Sequence, residues 1–164
     1  MAWDPTQIEG RLKDALDTFD WTEAEAVTTE LRTQIRTEPE ILPERSARNV
    51  LHMLRRKRRF NLMTGLADDL IQSGVSSSQV RRLYAQALID SGLTAAAEML
   101  LQSIVQDPQS SRGEELEARG LIGRIYKQRY VNNNDPRSAR NRGNLEHALN
   151  DYLYAYRLAP EQNL

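Results

Sequence analysis

Near its C-terminus the chain places Ala148, Tyr152, Ala155 and Pro160 at steps of four, three and five, after Gly123 and Tyr126. Side chains at the first two steps share one helix face, because an α-helix returns every 3.6 residues or about that. Gly123 lets a neighbouring helix approach closely. Ala148 and Ala155 do the same on that neighbour, and Tyr126 and Tyr152 fill the space between. The pattern predicts two antiparallel helices that cannot bury their apolar faces alone and must stack on further pairs. It points to a binding surface more than to an enzyme pocket.

Similar punctuation recurs upstream. Asp4-Pro5 suits a helix start, and Ile8, Leu12, Ala15, Leu16 and Phe19 follow at helical spacing. Asp20-Trp21-Thr22 makes a turn, Thr22 and Glu25 can form a capping box, and Glu38-Pro39 ends the second helix. Pro43 opens a third helix running to about Arg56. Phe60 to Ile71 marks a fourth, closed by Ser73-Gly74. Ser76-Ser77-Ser78 caps a fifth, Ser91-Gly92 turns into a sixth, and Asp107-Pro108 ends it. The seventh begins near Arg112 and the eighth by Asn144. First helices of successive pairs start near Pro5, Pro43, Ser78 and Gly113, at steps of 38, 35 and 35 residues. No sustained apolar alternation signals a strand. The expected fold is all-α, a right-handed α-α superhelix of about four antiparallel pairs. They cover roughly residues 4–37, 43–74, 78–107 and 113–160 of a single domain, read as a fragment of a longer chain. The competing expectation is an irregular bundle of eight helices.

These features resemble the tetratricopeptide repeat, whose period is about 34 residues. The fourth pair matches most closely. Gly123-Arg124-Ile125-Tyr126-Lys127, Leu145-Glu146-His147-Ala148 and the tail from Tyr152 to Pro160 look like a bacterial tetratricopeptide-type family. That family is similar to the TRAF-binding domain of some animal kinase kinase kinases. The resemblance covers roughly residues 115–162. It implies a helical regulatory or scaffolding module, often part of a longer polypeptide, and brings no catalytic residues. From Gly123 to Ala148 is 25 residues, where the standard repeat has about 12. The surplus within residues 130–143 predicts a turn-rich basic loop carrying Arg137, Arg140 and Arg142.

The net charge of −1 argues against a dedicated nucleic-acid binder, but the distribution is uneven. Residues 1–42 hold ten acids and four bases, whereas residues 43–59 hold one acid and seven bases. Arg45, Arg48, His52, Arg55, Arg56 and Arg59 fall within a sector of about 100° on the third helix. Ala47, Val50, Leu51 and Leu54 fall opposite. If first helices line a concave groove, Arg45, Arg48, His52, Arg55 and Arg56 face it. Arg82, Gln86, Arg124, Lys127 and Gln128 then join them from the third and fourth pairs. Such a groove would hold an acidic or carboxylate-bearing protein segment, since guanidinium groups bind carboxylates through paired hydrogen bonds. The plainer expectation is that the arginines only favour a helix C-terminus or pair with the acids of residues 9–40. Nucleic acid is a third expectation, lowered because no aromatic platform interleaves with the arginines in sequence.

Catalysis is not expected. His52 and His147 have no accompanying carboxylate pattern, and Asp68-Asp69 reads as an adjacent solvated pair. No glycine-rich phosphate loop follows a strand. His147 is expected to face solvent, and Trp3 and Trp21 to serve packing. The chain has no cysteine, so no disulfide or thiolate metal site, and no cofactor is expected. The start lacks a secretion pattern and no apolar run nears eighteen residues, so a cytoplasmic protein without a membrane span is expected. An uncapped last helix suggests self-association through that face.

Overall fold

The computed structural model describes residues 4–38 and 42–158, and its regular structure there is entirely α-helical. The helices are α1 (Pro5–Asp17), α2 (Trp21–Thr37), α3 (Glu44–Arg56), α4 (Phe60–Gln72), α5 (Ser78–Asp90), α6 (Thr94–Val105), α7 (Arg112–Val131) and α8 (Ala139–Leu158). Their starts follow local chemistry. The Asp4 carboxylate accepts the Thr6 N–H at 2.9 Å with Pro5 at the first helical position. The Ser77 hydroxyl accepts from Val80 N–H at 3.4 Å. Trp3, Pro39 and Pro160 lie outside the described residues.

Two helix starts differ from expectation. α2 is capped by Asp20, whose carboxylate accepts the Glu23 N–H at 3.0 Å. Asp20 therefore caps the helix in place of Thr22, and no capping box closes, because the Glu23 carboxylate accepts from Arg11 and the Asp20 N–H donates to the Ala15 carbonyl. α8 begins at Ala139 instead of near Asn144, and α7 continues to Val131, so the connection is only residues 132–138. Asn141 explains this. It is fully buried, and its amide donates to the carbonyls of Tyr130 at 3.2 Å and Pro136 at 3.5 Å. One side chain thus ties the end of α7 to the first turn of α8.

The chain forms two compact units, Met1–Gly92 and Leu93–Leu164. In the first unit α1 packs on α2 and α3 on α4, α1, α3 and α5 pack in succession, and α2 packs on α4. Leu12, Leu16, Leu31, Leu51, Leu54 and Leu66 lie in its continuous buried core. In the second unit α7 packs against both α6 and α8. Leu101, Ile104, Ala118, Ile122, Ile125 and Ala148 are buried there. Gly123 is where α8 comes closest: a β-carbon on it would stand 3.2 Å from the Tyr152 ring.

Candidate functional site: a basic helix face

α3 divides as its periodicity predicts. Ala47, Val50, Leu51 and Leu54 are fully buried. On the other side Arg45, His52 and Arg56 are exposed, and Arg48 and Arg55 are half-buried. This face looks out between α1 and α5, because α3 packs on both. Toward α5, Arg48 donates through Nη1 to the Gln79 side chain and lies 3.7 Å from Glu44 through Nε. Arg82 and Gln86 follow Gln79 on α5 at helical spacing, both half-buried.

Toward α1 the surface is mixed in sign. A groove of about 530 Å³ has Leu16 and Met53 in its lining. His52, Arg56 and Lys57 line it from α3 and the turn after it, and Glu9, Lys13 and Asp17 from α1. Asn49 donates to Glu9 at 3.2 Å, and Lys57 reaches Asp17 at 3.3 Å. Hydrogen bonds from Lys13 and then Lys57 hold the Asp17 carboxyl below its ordinary range. The pairing expected of the basic run with the N-terminal acids therefore occurs at Lys57.

In the second unit, Arg124 is half-buried and Lys127 and Gln128 are exposed, all on α7. Arg137 is exposed in the loop, its N–H donating to Asp135 at 3.2 Å. Arg140 and Arg142 do not belong to a loop: both are exposed on the first turns of α8, for the reason Asn141 supplies. His147 is exposed as expected and stacks on Tyr126 with ring centroids 4.6 Å apart. The Tyr126 hydroxyl donates to Glu98 at 2.6 Å, and that bond, with burial, pushes its pKa up. Arg129 closes this cluster through Glu98 at 2.7 Å.

Two arrangements escaped the sequence reading. Asp69 is not solvated: its side chain is 3% exposed and accepts from Arg32 Nε at 2.5 Å and Arg36 Nε at 2.8 Å. The Arg32 guanidinium lies against Gly65, one turn before Asp69, where a β-carbon would stand 2.7 Å from Nη1. Gly65 and Asp69 at a four-residue step on α4 were the available signal. The arginines also do have aromatic neighbours. Lys57 Nζ lies 4.6 Å from the Phe19 ring centroid, and the Arg59 guanidinium 5.0 Å from that of Trp21. Phe19 comes from the turn between α1 and α2 and Trp21 from the first position of α2, a placement that linear spacing does not reveal.

Among the described residues no cluster of three or more metal-ligating side chains occurs, and no helix is long and apolar enough to cross a membrane. In the first unit the pairs α1–α2 and α3–α4 pack first helix on first and second on second, and with no strand among the described residues this defines an all-α helical-repeat protein. A family model described as Tetratricopeptide Repeats-Sensor matches residues 59–163, and the chain belongs to that family. No curated protein and no solved structure matches it. Repeats of this type serve as interaction and sensor modules, which generally lack catalysis of their own.

Proposed function

We propose that the chain is a protein-interaction module whose α3 face holds an acidic, carboxylate-bearing partner segment. The observation that carries this is one helix presenting Arg45, Arg48, His52, Arg55 and Arg56 on its outward side while burying the other. Arg82 and Gln86 extend the face on α5. Glu9 and Asp17 restrict it on the α1 side, so the acidic segment runs nearer Arg48 and Arg55. Arg124, Lys127 and Gln128, with Arg137, Arg140 and Arg142, offer a second cationic surface on the other unit. The test is anisotropy of a labelled glutamate-rich peptide with the full chain. Arg48→Glu with Arg55→Glu should weaken binding at least about tenfold with helicity unchanged, and added salt should weaken the wild type. Equal binding by the double variant removes α3 from the proposal.

A second reading rests on α8. Leu145, Leu149, Tyr152 and Tyr156 are 47, 53, 40 and 57% exposed and recur at four, three and four residues, a coiled-coil seam. We propose self-association through it. Two copies running antiparallel would set each leucine against a tyrosine, Leu145 on Tyr156 and Leu149 on Tyr152. Leu149→Glu should abolish concentration-dependent sedimentation, and a wild type monomeric at high concentration would contradict the reading. The sensor description and the kinase-associated resemblance support a wider setting, a regulatory segment of a larger effector acting in the cytoplasm. A catalytic domain encoded after Leu164 is its test.

A further inference from the structure

Four helices of the first unit end alike. After α1, α3, α4 and α5 the chain passes through a residue of positive φ: Phe19 at 60°, Arg58 at 56°, Gly74 at 95° and Gly92 at 83°. After α1, Phe19 N–H donates to the Leu16 carbonyl and Asp20 N–H to that of Ala15. After α3, Arg58 N–H donates to Arg55 and Arg59 N–H to Leu54. Glycine suits this reversal because it has no β-carbon. At two of the four turns a phenylalanine and an arginine stand there instead, and burial does not offset the strain. Phe19 is 62% exposed and Arg58 is exposed.

These two turns meet. Lys57 sits on the Phe19 ring and Arg59 on the Trp21 ring, and the two rings touch edge to face at 5.6 Å. Trp21 is 37% exposed. The Arg59 Nε is buried with no hydrogen-bond partner among the described residues. The nearby acids are engaged: Asp17 by Lys13 and Lys57, Asp20 by the Glu23 N–H at the start of α2.

We propose that this edge binds single-stranded nucleic acid, with Arg58 and Arg59 on phosphates and Phe19 and Trp21 as stacking surfaces for bases. Cations beside exposed rings are what sequence-tolerant strand binding requires, and every base offers a flat face. An acidic peptide would use the arginines and leave the rings idle. A lipid surface would use the rings only by drawing Lys57, Arg59 and Asp17 toward hydrocarbon.

The test uses the full chain carrying Trp3→Phe, so that Trp21 is the one tryptophan. Titration with twelve-residue oligo(dT) and oligo(U) at low salt should quench its fluorescence. The logarithm of affinity should fall against that of salt with a slope of about −1.4 for two phosphates. Phe19→Gly with Arg58→Gly fits both turns better than the native residues, so the fold is kept, and affinity should drop at least about tenfold. Absence of quenching at about 100 μM protein, or undiminished binding by the glycine pair, overturns the proposal. So does a Trp21 response to phosphatidylserine vesicles or to a glutamate-rich peptide with none to the oligonucleotides.

Discussion

The Tyr152 ring of α8 lies against Gly123 of α7, its Cε1 3.2 Å from the point a β-carbon would occupy. The pair sets how closely the two longest helices approach. Gly120, one turn earlier, meets nothing within 4 Å. The two glycines should therefore respond oppositely. Gly120→Ala should stabilise by about 0.5–1 kcal/mol through helix propensity. Gly123→Val should destabilise by about 1–3 kcal/mol, since the branched side chain displaces the ring. Hydrogen exchange of α7 and α8 amides measures both, and equal effects would deny the contact its role.

Asp69 accepts from two arginines of α2 while nearly buried on α4. Asp69→Asn should cost about 1–3 kcal/mol, less than a fully buried pair because Arg32 and Arg36 keep 33% and 60% of their side-chain exposure. Urea unfolding followed by Trp21 fluorescence in a Trp3→Phe background reports it. Gly65→Leu should act in the same direction by pushing Arg32 off its carboxylate.

Asn141 should hold the short α7–α8 connection. Replacing it by Leu leaves the Tyr130 and Pro136 carbonyls without its amide, at about 1–3 kcal/mol. Proteolysis within residues 132–138 should accelerate in Asn141→Leu while cleavage in the first unit is unchanged.

Alkaline pH should weaken both units. Burial and then Asp68 raise the Tyr84 hydroxyl, and the hydrogen bond to Glu98 and then burial raise that of Tyr126. Between the unfolded value, about 10, and the raised folded value, the folded chain holds more protons than the unfolded one. Their contribution is thus complete below about pH 10 and is lost as pH rises through the folded pKa. Urea midpoints should hold up to about pH 10 and fall as pH rises above it, and Tyr84→Phe with Tyr126→Phe should flatten that fall.

Much of this was legible from single residues and their helical neighbours. Asp4-Pro5, Ser77 and Gly92 mark helix ends because caps and reversals depend on a few adjacent atoms. Leu51 and Leu54 marked the buried face of α3 because burial there follows the helix period. The misses involve partners distant in sequence. Asp69 finds arginines 37 and 33 residues earlier, Phe19 meets Lys57 across neighbouring pairs, and Asn141 bonds back to Tyr130. The first two depend on how pairs stack and the third on where two helices of one pair end; the Gly65–Asp69 step marks a space and a carboxylate on α4 without naming the arginines that fill it.

The α3 face is tested most directly by following arginine Nε–H resonances of the full chain during titration with a glutamate-rich twelve-residue peptide. Arg48 and Arg55 should shift progressively, while Arg119, held by Glu115 at 3.0 Å and stacked on Tyr154, should stay in place. Unmoved Arg48 and Arg55 signals at millimolar peptide, or shifts spread evenly over the arginines, would contradict the account.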